Sequence, residues 1–316
     1  MPTTILPKTH AAASDGDINP LQATQVSFVG CGIMAEAIIA GLLRDQLVAP
    51  EQIIGSHPRA ARREELQAAY RIRMVERNRD AVTHVTALEA PPSDENPPRS
   101  GSIVVLAVKP QRLSTVLGEL RGSLQPHQIL LSIIAGAPIE TIARELLHPA
   151  IVRAMPNTPT QIGQGMTVWA ATGEVGSVER EQIRRMLGAL GREMQVEEER
   201  MIDMATALSA TGPTYTFLVM EALVDAGVHM GFSRHVAQEL VVQTMLGSVL
   251  FARESHKHPA ELRNMVTSPG GTSAEAIYQM EKGGLRTVLS KAVWAAYQRA
   301  VALGRKTHAP PPADER

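Results

Sequence analysis

The spacing of hydrophobic residues changes near residue 197 of this chain. Up to that point, short apolar runs rich in Val and Ile alternate with longer segments that have one apolar face, which predicts strands alternating with helices. Such alternation is typical of an α/β domain with a doubly wound, mainly parallel sheet. The predicted strands cover 26–29, 52–55, 74–75, 102–108, 129–134, 151–155, 166–171 and 194–196, and the predicted helices cover 33–43, 58–70, 113–120, 139–147 and 178–190.

From residue 199 onwards the pattern contains helices only. Helix 213–231 begins with Pro and is apolar around most of its circumference, so we expect it to pack against another subunit. We therefore predict an α/β domain over 25–197, followed by an all-α dimerisation domain over 198–304. The other predicted helices run from a cap at Ser233 to about 255, over 259–265, from Thr272 or Ser273, and over 285–303.

Three polar segments are predicted to lie outside the regular structure. Residues 1–24 lack the apolar core of a signal peptide, and we expect them to form a flexible tail. Residues 305–316 contain three consecutive prolines and are expected to form a second flexible tail. The Pro-rich insert 88–99 is predicted to be a surface loop.

The first predicted strand leads into a glycine turn and then a helix. Gly30 allows a tight turn, Gly32 lets the backbone approach a phosphate group, and Ala35 is small enough for close helix–strand packing. The free N–H groups at the start of the helix, at Ile33 and Met34, would bind a pyrophosphate. This arrangement is typical of the first unit of a Rossmann-type dinucleotide-binding domain, although an ordinary structural turn has the same local pattern.

The residues after the second predicted strand indicate which dinucleotide binds. A carboxylate there would hydrogen-bond the ribose 2′-OH of NAD, whereas an arginine nearby accommodates the 2′-phosphate of NADP. Ser56 occupies this position, and Arg59, Arg62 and Arg63 follow it. The sequence therefore favours NADP(H), with NAD(H) possible. The alternative is that the arginines only form the solvated face of helix 58–70.

Composition and charge exclude several classes of function. The formal net charge of −1 provides no basic field for nucleic acid or an anionic membrane. No apolar run approaches the ~20 residues that a membrane-spanning helix needs. The single cysteine, Cys31, rules out an internal disulfide and fits a reducing compartment, so we expect a cytoplasmic protein. His256 and His258 are only two candidate ligands, and no metal site is expected.

A second glycine-containing segment, Val266–Glu275, leads directly into a predicted helix. Its backbone N–H groups and hydroxyls would bind a small anion, most naturally a carboxylate. Thr272 and Glu275 have the spacing of a capping box at the start of that helix. The alternative is an ordinary turn before a capped helix.

These motifs and their order along the chain resemble the pyrroline-5-carboxylate reductase family. The resemblance covers about 25–303 and implies an oxidoreductase that reduces 1-pyrroline-5-carboxylate to L-proline with NAD(P)H, the last step of proline biosynthesis. It also implies a homo-oligomer, either a dimer or a ring of dimers. The segments that carry the resemblance are VGCGIMAEAIIAGLL (29–43), VVLAVKPQ (104–111), RAMPNTP (153–159), LSATGPTYTFLVMEALVDAGVHMG (208–231) and HPAELRNMVTSPGGTSAEAIYQMEKGGLR (258–286).

The resemblance implies a set of cofactor-binding residues in the first domain. Asn157 is expected near the nicotinamide, and Lys109 is expected to belong to the cofactor loop after the fourth strand rather than to act as an acid. Ser56 and, less directly, Arg59 are expected near the adenosine ribose. The full set is Gly30, Gly32, Ile33, Met34, Ala35, Ser56, Arg59, Asn78, Ala107, Val108, Lys109, Pro110 and Asn157.

The resemblance also implies that the second domain binds a small cyclic imino acid. Such an imine can arrive protonated and already electrophilic, so the reaction needs positioning more than a strong acid. The hydroxyl of Ser273 is the candidate catalytic group beside the imine nitrogen. The residues expected to hold the substrate carboxylate are Ser268, Pro269, Gly270, Gly271, Thr272 and Ser273.

Two departures from the family pattern leave other functions open. The family usually has Thr where Ser273 stands, and Ser-Gly-Ser-Gly-Pro where residues 209–213 read Ser-Ala-Thr-Gly-Pro. The alternatives are a β-hydroxyacid dehydrogenase, a related cyclic imine reductase, and a dinucleotide-binding paralogue without catalytic activity. The dehydrogenases use a lysine on the helix between the domains, and the absence of lysine from 211–228 counts against them.

Overall fold

The computed structural model describes residues 19–83 and 102–306, with only the backbone of residues 305 and 306. These residues form two compact units. The first contains the described residues up to Ala210 together with Tyr297 and those after it, and the second contains Thr211–Ala296. The predictions for 1–18, 88–99 and 307–316 fall outside the described residues. The domain boundary expected at 197 stays a prediction.

The first unit is organised around one sheet, which has eight strands among the described residues. The strands are β1 (Gln25–Val29), β2 (Ile53–Ser56), β3 (Arg73–Val75), β4 (Ser102–Leu106), β5 (Gln128–Ser132), β6 (Ile151–Met155), β7 (Gly165–Ala171) and β8 (Gly191–Gln195). Their order is β3-β2-β1-β4-β5-β6-β7-β8, and neighbours are parallel except β6 and β7. The strand order reverses at β1, which creates the crevice where doubly wound sheets bind dinucleotides.

Helices follow most of the strands and make up nearly all of the second unit. Those of the first unit are α1 (Ile33–Arg44), α2 (Ala60–Tyr70), α3 (Asn78–Thr83), α4 (Leu113–Leu120), α5 (Ile139–Leu146), α6 (Ser177–Gly188) and α7 (Arg200–Ala205). The chain then forms α8 (Gly212–His229), α9 (Arg234–Ser255), α10 (Pro259–Met265), α11 (Thr272–Lys282) and α12 (Leu285–Lys306). This architecture confirms the predicted fold class, an α/β unit followed by an all-α region.

Two apolar clusters cover the two faces of the sheet. Phe28 and Val105 belong to one cluster, whereas their neighbours Val29 and Val104 belong to the other. Successive side chains of a strand point to opposite faces, so a strand covered on both faces is apolar throughout. This burial explains the continuous apolar run that predicted β4.

Residues 19–24 belong to the first unit. Leu21 is fully buried in the apolar cluster. The Gln52 side-chain amide donates to the carbonyl oxygens of Leu21 at 3.1 Å and Thr24 at 2.7 Å. The predicted flexible tail 1–24 is therefore wrong for its last six residues, because a single apolar anchor is too short to produce a periodic pattern.

The second unit leaves many large apolar side chains exposed. Its first two helices pack where Gly227 lies against Ala237, since a Cβ at Gly227 would be 3.0 Å from that of Ala237. Ser233 caps α9 as predicted, because its hydroxyl accepts a hydrogen bond from the N–H of Val236 at 3.4 Å. On α8, Phe217 and Leu218 are 59% and 65% exposed. No described helix of the chain is long and apolar enough to cross a membrane.

Candidate active site

The glycine loop after β1 is a tight turn that touches the loop after β4. Gly30 has φ +88°, a left-handed conformation that side chains rarely adopt. A Cβ at Gly30 would lie 2.5 Å from Cγ1 of Val108 and 3.2 Å from its Cα. Glycine is therefore required here by both the backbone conformation and the space, as the sequence predicts.

The start of α1 is open on the side where a phosphate would bind. A Cβ at Gly32 would meet no atom of the described residues within 4 Å, and none of their side chains caps the helix here. Ile33 is 68% exposed, whereas Ala35 is fully buried against the sheet. An uncapped helix N-terminus with room beside it suits a pyrophosphate group. These residues therefore fit the dinucleotide that the glycine pattern predicts.

Ser56 and Asn78 support the glycine loop. The fully buried hydroxyl of Ser56 accepts a hydrogen bond from the N–H of Gly30 at 3.3 Å and lies 2.8 Å from Oδ1 of Asn78. The Asn78 amide donates in turn to Glu119 at 2.7 Å. The structure thus brings together three predicted cofactor residues. The expected proximity of Ser56 to the adenosine ribose stays a prediction, because its hydroxyl is engaged with the loop.

The three arginines after β2 differ in what they contact. Arg62 forms ion pairs with Glu36 and Glu65, and Arg63 donates to the carbonyl oxygens of His57 and Pro58. Both side chains therefore stabilise the local fold, but at 13% and 20% exposure they do not form the solvated face that the alternative interpretation expected.

Arg59 is exposed just before α2, and its side chain has no hydrogen bond or ion pair with any described residue. The neighbouring His57 has its pKa lowered, mainly by burial and further by the arginine charges. Arg59 is thus the free cation of the group, available for a phosphate.

Cys31 is buried between the two glycines. Burial raises the pKa of its thiol to about 12, so the thiol stays protonated near neutral pH. Its sulfur lies against Gly55, where a Cβ would be only 2.5 Å away. The environment favours a packing role and gives no support to a nucleophilic one.

The loop after β4 and the connection after β6 lie at the carboxyl edge of the sheet. Ala107 donates its N–H to the carbonyl of Val29 at 2.9 Å, and Lys109 is exposed immediately before Pro110. Asn157 follows β6, and its side chain donates to the carbonyl of Ser209 at 3.4 Å and accepts from the N–H of Met166 at 2.9 Å. The nicotinamide contact expected of Asn157 stays a prediction.

Thr160 is a contact residue that the sequence interpretation did not single out. It is buried, and its hydroxyl lies 3.3 Å from the sulfur of Met34 at the start of α1. A Cβ at Gly165 would lie 2.2 Å from Cγ2 of Thr160, so the two residues pack tightly. The hydroxyl residues that follow Asn157 in the sequence Asn-Thr-Pro-Thr were the available signal.

In the second unit, the segment 268–273 forms a turn that opens onto α11. Gly271 donates its N–H to the carbonyl of Ser268 at 3.0 Å, and Gly270 has φ +70° after Pro269, as in a type II turn. The hydroxyls of Ser268, Thr272 and Ser273 have no hydrogen bond to the residues that the structure describes. Gly271 precedes α11 and no side chain caps this helix. The turn therefore leaves N–H and hydroxyl groups available to an anion.

The predicted capping box at this helix is wrong. The residue before α11 is Gly271, and Thr272 is already the first helical residue. Glu275 donates its N–H to the carbonyl of Gly271, and its carboxylate accepts a hydrogen bond from the Gln279 amide at 3.1 Å. The spacing was correct for a capping box, but the helix begins one residue earlier than a cap at Thr272 requires. The consequence is that the helix end is uncapped.

Two family models match this chain. Residues 25–136 match a model described as NADP oxidoreductase, coenzyme F420-dependent, and residues 199–303 match one described as pyrroline-5-carboxylate reductase dimerisation. The first match covers the glycine loop, Ser56, Arg59 and Asn78. With the geometry of the loop, it supports a nicotinamide dinucleotide as the cofactor.

Similar proteins span nearly the whole chain. The pyrroline-5-carboxylate reductase of Synechocystis sp. is 38% identical, with 89% of this chain and 99% of that protein covered. The corresponding enzyme of Pseudomonas aeruginosa is 37% identical, with 89% and 97% covered.

A pyrroline-5-carboxylate reductase structure from Coxiella burnetii is 31% identical with a TM-score of 0.77, covering 89% of this chain and 99% of that one. The NADP-bound structure of the Plasmodium falciparum pyrroline carboxylate reductase is 28% identical with a TM-score of 0.76, covering 89% and 98%. Identity above 30% over almost the full length of several relatives leaves one conclusion: the chain belongs to the pyrroline-5-carboxylate reductase family.

Proposed function

We propose that this enzyme reduces 1-pyrroline-5-carboxylate to L-proline, with NADPH as the preferred hydride donor. The observation that carries the proposal is the uncapped turn 268–273, which offers N–H and hydroxyl groups to a carboxylate in a chain that also has a dinucleotide loop. The family membership and the names of the relatives support the same reaction.

The residues of the first unit hold the cofactor in this proposal. The start of α1, from Gly32 to Ala35, would hold the pyrophosphate, and the loop 107–110 would hold the nicotinamide half. Asn78 and Ser56 keep the glycine loop in its conformation through the hydrogen bonds described above. When bound, the reduced nicotinamide supplies the hydride that the reaction needs.

The residues of the second unit hold the substrate. The backbone N–H groups of Gly270, Thr272 and Ser273 bind its carboxylate, while the N–H of Gly271 closes the turn onto Ser268. The positive end of the α11 dipole adds to the attraction. The hydroxyl of Ser273 hydrogen-bonds the imine nitrogen. The C=N carbon accepts the hydride, the electron pair of the π bond moves to nitrogen, and the proton already on the iminium remains there as the amine N–H. The chain therefore needs no strong acid and acts mainly by orientation.

Steady-state kinetics with racemic pyrroline-5-carboxylate and each nicotinamide cofactor test this function. We expect consumption of NADPH with stoichiometric formation of proline, and a lower kcat/KM with NADH. Binding of NADPH without turnover of any cyclic imino acid would instead identify a non-catalytic paralogue. Faster turnover of a different cyclic imine would identify a related imine reductase.

Arg59 is the residue we propose to recognise the 2′-phosphate of NADPH. Because a hydrogen bond to a charged group contributes about 1.5–3 kcal/mol, Arg59→Ala should raise the KM for NADPH at least about tenfold. The KM for NADH should change by less than about twofold, since NADH has no 2′-phosphate. The measurement is the ratio of kcat/KM for the two cofactors.

The matched control for this prediction is Arg71→Ala. Arg71 is exposed at the other end of α2, where it caps the helix in a left-handed conformation with φ +58°. Removing it changes the net charge by the same amount but leaves the residues near Ser56 intact. Equal effects of the two substitutions on the KM for NADPH would contradict a specific phosphate contact.

The second unit is proposed to form a homodimer through the exposed apolar face of α8. Leu218→Glu should convert the protein to a monomer in sedimentation velocity at micromolar concentration, because it places a charge in the apolar interface. The control is Val178→Glu, an exposed residue near the start of α6 where a carboxylate is tolerated. A monomeric parent protein would contradict the proposal, and an assembly larger than a dimer would favour a ring of dimers.

The cytoplasm is the compartment that we propose. The only cysteine of the chain is buried with a strongly raised pKa, which suits a protein that depends on no disulfide.

A further inference from the structure

A buried arginine in the first unit is not explained by cofactor or substrate binding. Arg153 lies in the middle of β6 with 2% of its side chain exposed. Its guanidinium contacts Oε1 of Glu199 at 2.8 Å and Oδ1 of Asp203 at 2.6 Å. Burying a charge is costly unless it is paired, so these contacts tie α7 firmly to β6.

The same carboxylate also holds the start of another helix. Oε1 of Glu199 accepts a hydrogen bond from the N–H of Ile139, the first residue of α5, at 2.9 Å. Glu199 therefore joins α5, β6 and α7 at the carboxyl edge of the sheet. These contacts hold the N-terminal end of the segment 200–210 in one position.

The end of this segment is held by a second contact. Residues Thr206–Ala210 form a π-helical turn, a geometry frequent at functional sites. In a continuous α-helix the carbonyl of Ser209 would accept the N–H of residue 213, but that residue is Pro and has no N–H. The amide of Asn157 donates to the Ser209 carbonyl instead, at 3.4 Å.

Both polar atoms of the Asn157 side-chain amide already have a protein partner. Its Oδ1 accepts from the N–H of Met166 at 2.9 Å, which also determines the orientation of the amide. Through Thr160, the connection after Asn157 contacts Met34 at the start of α1. Asn157 therefore lies between the phosphate end of the cofactor site and the π-helical turn.

We infer that Asn157 and Arg153 are positioning residues that fix residues 200–210, the segment of the first unit that directly precedes α8 in the sequence. Asn157 acts through the Ser209 carbonyl and does not hydrogen-bond the nicotinamide. This inference rests on the proposed reductase function. Because hydride transfer depends on sub-ångström geometry, the two residues affect kcat far more than cofactor affinity.

The test compares cofactor affinity with turnover in Asn157→Asp. This variant has the same shape and keeps an acceptor for Met166, but it loses the donor to Ser209. We expect kcat to fall by about 10–100-fold. The NADPH dissociation constant, measured by fluorescence without substrate, should stay within about threefold of the parent value, because the pyrophosphate loop is unchanged.

Arg153→Lys provides a second, independent test of the positioning role. An ammonium cannot hold two carboxylates in the fork geometry of a guanidinium, so a fall in kcat without loss of NADPH affinity is again expected. The control is Arg180→Lys. Arg180 is a half-buried arginine of α6 whose hydrogen bonds to the described residues go to the carbonyls of Thr172 and Val175. This control should leave kcat unchanged.

Hydrogen exchange distinguishes the positioning role from the proposed function. In both variants the amides of 200–214 should exchange faster, whereas those of 25–44 should exchange at the parent rate. An increase in the NADPH dissociation constant equal to the loss in kcat/KM would overturn the inference, because it would make Asn157 a direct cofactor ligand. Unchanged kcat and exchange would overturn it too. A parent enzyme without turnover would contradict the reductase function, and the exchange rates would still test the contact.

Discussion

Gly30→Ala is expected to abolish NADPH binding and to destabilise the first unit. Alanine at φ +88° costs about 1–2 kcal/mol in backbone conformation alone. Its Cβ would also lie 2.5 Å from Val108 Cγ1, which displaces the loop after β4 as well as the glycine loop. Both loops belong to the proposed cofactor site. The measurements are a fluorescence titration with NADPH and the thermal unfolding midpoint.

Gly32→Ala separates the loss of NADPH binding from the loss of stability. A Cβ at Gly32 would meet no atom of the described protein within 4 Å, so the variant should unfold at the parent temperature. It should still bind NADPH more weakly, because the new methyl group occupies the space that the pyrophosphate needs. Parent-like NADPH affinity in Gly30→Ala would contradict the assignment of this loop to the cofactor.

Gly271→Val is expected to remove turnover while NADPH binding persists. A Cβ at Gly271 would lie 2.5 Å from Oγ and 3.1 Å from the carbonyl oxygen of Ser268, so the turn 268–271 cannot keep its conformation. The turn presents the groups that we assign to the substrate carboxylate. Loss of such oriented donors lowers catalysis by about 10²–10³-fold, and a similar loss in kcat/KM is expected here.

The control for this substitution is Gly118→Ala in α4. Its Cβ would meet no described atom within 4 Å, and alanine favours a helix, so activity should be unchanged and stability slightly higher. Loss of NADPH affinity in Gly271→Val would contradict the division of roles between the two units. Full activity of Gly271→Val would show that the turn does not belong to the substrate site.

Elements with strong local patterns could be predicted from sequence, and short ones could not. The strand β4 is apolar throughout because both of its faces are buried, and the helix at 113–120 has an amphipathic stripe. The glycine turn is recognisable because its left-handed backbone conformation favours glycine. Helices α3 and α7 were missed because six residues are too few to show a helical period. The capping box was wrongly predicted because the sequence does not show where the turn ends, and the helix begins after Gly271, which has no side chain to cap it.

The partners of individual side chains depend on contacts between distant residues. Ser56 was predicted beside the ribose, but its hydroxyl contacts Gly30, 26 residues earlier, and Asn78, 22 residues later. From the sequence, Arg62 and Arg63 were candidates for phosphate binding together with Arg59. Only the partners observed in the structure distinguish these two residues from Arg59. Local sequence cannot report such pairs, because long-range packing forms them.

By itself, the sequence determined the α/β order, the helical C-terminal region, the dinucleotide turn and the family, since each is encoded in local periodicity or in consecutive residues. Only the tertiary structure decided that Leu21 anchors the N-terminal segment and that Arg59 is the free cation after β2. It also decided that both polar groups of Asn157 are used, one of them by a carbonyl 52 residues away. The physical reason is that a side chain finds its hydrogen-bond partners and its buried neighbours only when folding brings distant parts of the sequence together.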